Sequence, residues 1–91
     1  MLFKIEVSIF PENESDSRNI ERKMLGNGYS RVGYYEENGV FEFLFKGERD
    51  YPFEMNRGEE SRVLALNIEK ELALLLVGYL SKPAKVVVTA L

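Results

Sequence analysis

From Leu2 to Phe10 the chain reads LFKIEVSIF, and apolar and polar positions alternate from Phe3 to Ile9. Phe3, Ile5, Val7 and Ile9 share one face, and Lys4, Glu6 and Ser8 the other. This period of two predicts a half-buried strand. Pro11 ends it, because proline offers no N–H to a ladder. The following ENESDS supplies helix-capping residues. Ile20, Met24 and Leu25 then recur at helical spacing as far as Gly26, where a left-handed cap is expected.

Tyr29 to Glu36 reads as a second strand, with a bulge or close backbone approach at Gly33. Glu-Glu-Asn-Gly joins it to a third strand, Val40 to Lys46, since Asn-Gly supplies the positive φ angles of a tight hairpin turn. A longer connection, Gly47 to Gly58, carries Tyr51, Phe53 and Met55 at alternate positions and has room for a short extra strand. Asn56 and Glu59 have capping-box spacing and open a helix expected from about Gly58 to Leu80. Its stripe is Leu64, Ile68, Leu72, Leu75 and Tyr79. Pro83 prevents further helix, and AKVVVTAL is the last strand.

The succession β-α-β-β-α-β in 91 residues predicts a single α+β domain, residues 1–91. The expected arrangement is a ferredoxin-like sandwich, an antiparallel sheet with two helices on one face. The first and third strands should be central, the second and fourth at the edges.

Phe41, Phe43 and Phe45 raise a choice, because RNA-recognition domains share this succession and expose aromatic rings on their central strands. Turning Phe3, Phe41 and Phe43 outward would drive Lys4, Glu6 and Glu42 into the core, at a cost of several kcal/mol for each unpaired charge. The rings are therefore expected inside. The open face should carry Lys4, Glu6, Ser8, Glu42, Leu44 and Lys46.

Composition narrows the chemistry. Cysteine and histidine are both absent, which excludes disulfides, thiolate nucleophiles, cysteine metal sites and the usual base near neutral pH. A net charge of −3 lacks the basic excess of a nucleic-acid binder. The longest uncharged apolar run, Leu72 to Leu80, is nine residues, where a membrane span needs about 20. Lys4 and Glu6 interrupt any secretory apolar run. The expectation is a cytoplasmic protein that binds neither nucleic acid nor membrane.

Glu12, Glu14 and Asp16 are spaced like calcium-loop ligands but lack the loop's glycine and closing glutamate, and are read as acids at a helix start. Asn13-Glu14-Ser15 matches a glycosylation sequon, without a secretory signal to make use of it. Arg57 and Gly58 stand where an anion could bind, opposed by Glu59 and Glu60. The five tyrosines, 29, 34, 35, 51 and 79, include several that could line a pocket near the hairpin. No nucleophile, base and orienting group can be assembled, so no catalysis, cofactor or metal is expected.

The unusual feature is an apolar surplus. The long helix carries no charge between Glu71 and Lys82, and Leu66, Ala73, Leu74 and Val77 lie off its main stripe. In the last strand Val86 and Val88 point one way, Val87 and Leu91 the other, guarded only by Lys85. Leu66, Leu74, Val77, Val86 and Val88 are therefore the expected interface of a homodimer, unless the 47–58 connection covers this surface. The leading functional expectation is a non-catalytic binding or regulatory domain, taking a small-molecule ligand or a protein partner. A small acidic inhibitor or accessory protein of mobile-element or viral type, blocking a larger partner, is the alternative. An enzyme using only carboxylates, tyrosine or lysine ranks last.

Overall fold

Four strands and two helices follow one another as expected in the structure, a computed structural model that describes residues 1–51 and 57–91. They are β1 (Leu2–Ile9), α1 (Ser17–Gly26), β2 (Ser30–Glu37), β3 (Val40–Asp50), α2 (Arg57–Leu75) and β4 (Lys85–Ala90), with a 3-10 turn at Glu14–Asp16 before α1. Phe53, Met55 and Asn56 lie outside the described residues, as do the extra strand and most of the internal cover expected there. Side chains are described in α2 from Glu60 onward, so the capping box is outside them too.

The sheet is antiparallel throughout, in the order β2-β3-β1-β4. Its two strongest apolar strands, β1 and β3, are central. β2 carries the expected irregularity: Arg31 pairs with Phe45 and Gly33 with Leu44, which leaves Val32 as the extra residue of a bulge. Asn38 and Gly39 turn the hairpin with φ of 52° and 78°.

Alternation along β1 decides the layers. Phe3, Ile5, Val7 and Ile9 are buried with Phe43 and Phe45 beneath Ile20 and Met24 of α1 and Leu64, Ile68 and Leu72 of α2. Phe41 lies farther out on the same face, stacked on Tyr34 with ring centroids 6.1 Å apart. On the other face, register sets Glu6 opposite Lys46 and Lys4 opposite Glu48, and Lys4 approaches Glu6 to 3.5 Å. Such cross-strand pairs stabilise by about 0.2–1 kcal/mol each.

Three expected boundaries move. β3 runs on to Asp50 because Gly47, Glu48, Arg49 and Asp50 pair with Ile5, Lys4, Phe3 and Leu2. The left-handed residue after α1 is Gly28, at φ 88°, rather than Gly26, and Asn27 closes the helix by donating its Nδ2 to the Lys23 carbonyl at 2.7 Å. α2 stops at Leu75 rather than Leu80. Gly78 at φ 86° turns the chain back, so that Leu80 bridges to Pro11. In consequence Leu76, not Leu75, is the fully buried end of the stripe.

Candidate functional site

α2 presents three surfaces, because about 100° separates successive side chains. Leu64, Ile68, Leu72 and Leu76 point at the sheet. Glu71 marks the flank turned toward β3, where its two carboxylate oxygens accept hydrogen bonds from Arg49 at 3.2 and 3.0 Å. The opposite flank therefore lies over the outer edge of β4; it carries Arg62, Ala65, Glu69 and Ala73. The outward face shows Val63 and Leu66, and Val77 follows in the turn after the helix.

The five residues expected to form one interface fall on different surfaces. Leu66, Leu74 and Val77 are 57, 79 and 72% exposed. Leu74, however, sits on the β3 side, beside Arg49 and Glu71. The Val86 side chain is buried in the core and Val88 packs against it, since β4 turns both toward the helices. Val87 and Leu91 are the exposed apolar side chains of this strand, at 47 and 60%.

What Val86 and Val88 expose is main chain. Leu91 donates its N–H to the Leu2 carbonyl at 3.0 Å. Main-chain direction alternates in an antiparallel ladder, so Lys85, Val87 and Thr89 also bond to β1. Val86, Val88 and Ala90 then turn their N–H and C=O groups to the free side of the sheet. Among the described residues nothing pairs with this edge. The other edge, β2, is interrupted by its bulge and carries Glu36 and Glu37, a common means of blocking further pairing.

A polar cluster lies between the helices. Tyr29 follows α1 and packs over Gly47 of β3. With Asn27, Arg49, Glu71, Leu72, Leu74 and Leu75 it lines an open cleft of about 450 Å³. The Tyr29 hydroxyl is buried without a hydrogen-bond partner. Burial pushes its pKa up from 10.0, the nearby Arg49 guanidinium pulls it down, and Glu71 adds to the upward push. Arg49 and Glu71 stand 22 residues apart with no local pattern linking them, and only the fold of β3 against α2 brings them together.

Glu60 is a second feature that the sequence does not signal. It continues the buried stripe one turn before Leu64, is 7% exposed, and has no partner for either carboxylate oxygen. Among the described residues no three acidic side chains converge to hold a metal ion, and Glu12, Glu14 and Asp16 do not gather. Among the described residues no helix is long and apolar enough to cross a membrane. No protein-family model matches the chain, and no curated protein or solved structure is significantly similar to it.

Proposed function

We propose that this chain is a non-catalytic binding domain of ferredoxin-like architecture that acts as a homodimer. The architecture is supported by the β-α-β-β-α-β succession together with the sheet order β2-β3-β1-β4, in which each helix connects two strands separated by one neighbour. The observation that supports the functional reading is the exposure of Leu66 and Leu74 on α2 and of Val77 just after it. Exposed apolar side chains on neighbouring surfaces of one element are sites that another molecule would cover. The open cleft beside Leu74, with its arginine, carboxylate and phenol, suits a small amphipathic ligand or a partner side chain.

Native mass spectrometry over a range of protein concentrations tests this reading. It expects a species of twice 10.5 kDa that grows with concentration; extra mass on it would identify a small-molecule ligand. A bare monomer at every concentration overturns it.

A further inference from the structure

We infer that the cleft beside Leu74 is a site for a small monocarboxylate with an apolar body, whose carboxylate takes the place of Glu71 on Arg49. This rests on the binding-domain reading above and names its ligand class. On the helix side of β3 stand Phe41, Phe43, Phe45, Gly47 and Arg49, so that an apolar row ends in a gap and a cation. Arg49 lies opposite Phe3 and turns with it toward the helices. The ring of Tyr29 fills the gap over Gly47. It is fixed there by its own N–H, which donates to the Met24 carbonyl at 3.1 Å.

Two donors meet at the wall of the cleft, and only one has an acceptor. The Arg49 guanidinium holds Glu71 at two points, 3.2 and 3.0 Å, so its fork is already presented to a carboxylate at this place. The Tyr29 hydroxyl ends beside the same guanidinium. Arginine offers no acceptor, and the phenolic hydrogen is left without a partner in a residue only 6% exposed. Buried hydroxyls ordinarily have one. Glu71 is the movable member: its side chain is 55% exposed, and an ion pair so open to solvent holds weakly. Tethered to α2, it reaches the guanidinium and leaves the hydroxyl unpaired, whereas an untethered carboxylate can serve both. Leu72, Leu74 and Leu75 line the rest of the cleft and suit an aliphatic chain. Its volume of about 450 Å³ falls within the ~300–1,000 Å³ of small-molecule sites. Among the described residues Arg49 is the one cation lining it, which matches a single negative charge rather than a phosphate dianion.

The test titrates hexanoate into the full chain and follows amide chemical shifts, for wild type, Arg49→Gln and Glu71→Gln, each checked for fold by its circular dichroism. Wild type is expected to bind, with shifts concentrated at Tyr29, Arg49 and residues 72–75. Arg49→Gln is expected to weaken binding about tenfold, and Glu71→Gln to tighten it about threefold. Hexanamide keeps the chain and loses the charge; acetate keeps the charge and loses the chain. Each is expected to bind about tenfold more weakly than hexanoate. A wild type that ignores hexanoate, binding that Arg49→Gln leaves unchanged, or hexanamide bound equally well overturns the site. Should Arg49→Gln not fold, Glu71→Gln decides, since unchanged or weaker hexanoate binding overturns it too. Native masses of the same samples separate this outcome from the homodimer reading. A dimer that ignores hexanoate loses the site and keeps the dimer; a monomer that binds it keeps the site and loses the dimer.

Discussion

The ring of Tyr29 lies against Gly47, its Cδ1 3.1 Å from where a β-carbon would stand on that residue. Tyr29 is 6% exposed and enclosed by the core, so it has little room to yield. Gly47→Ala is expected to lower stability by about 1–3 kcal/mol through overpacking. Gly33 makes the useful contrast. A β-carbon there would stand 2.7 Å from the Tyr35 hydroxyl, but Tyr35 is 57% exposed and its side chain can swing into solvent. Gly33→Ala is expected to cost clearly less than Gly47→Ala when both are measured by urea unfolding.

The same tyrosine predicts an alkaline weakness. Burial holds the folded-state pKa of Tyr29 above 10.0. Its contribution to stability is therefore complete below the unfolded value and is lost as pH rises through the folded one. Between pH 9 and pH 11 (a window spanning that ordinary value) wild-type stability should fall more steeply than that of Tyr29→Phe. At pH 7 the phenylalanine variant should be about as stable as wild type, because the buried hydroxyl it removes makes no well-formed hydrogen bond and only approaches Arg49. Equal alkaline slopes for the two proteins would refute this.

Glu60 places two unpartnered carboxylate oxygens where the apolar stripe of α2 continues. Glu60→Leu is expected to raise stability by about 1–3 kcal/mol, since it exchanges an unsatisfied buried group for an apolar one. A lowered melting temperature would mean that the carboxylate is needed where it stands.

Arg49 and Glu71 form a two-point pair, but their side chains are 31 and 55% exposed. Solvent screening keeps such a pair small, so a double-mutant cycle with Arg49→Gln and Glu71→Gln should give a coupling of about 1 kcal/mol or less. A ligand anion that competes with Glu71 for the guanidinium would appear as tighter binding to Glu71→Gln than to wild type.

Much of the fold was legible because its signals are local. Alternation in β1 selects the buried face before any partner is known, since a one-residue slip would exchange Phe3, Ile5 and Val7 for Lys4 and Glu6. Asn38-Gly39 specifies its own turn. The fate of the phenylalanines also follows from the charges between them. The ends of elements were less legible. β3 continues through Gly47-Glu48-Arg49-Asp50, which has no strand pattern of its own, because β1 lies alongside to pair with it. α2 stops at Leu75 although apolar residues continue, because the chain must return to pair near Pro11.

The candidate surfaces divide along the same line. That helix and strand carry more apolar residues than one core consumes is a property of composition and period, present in the unfolded chain. Where each surplus residue goes depends on the rotation of α2 about its axis and on which face of β4 meets the helices. These are set by packing between segments distant in sequence, through contacts such as Arg49 with Glu71 and Val86 with Val7. Hence Leu74 borders a cleft, Val86 enters the core, and the free groups of β4 belong to its backbone, which carries no residue-specific mark in the sequence.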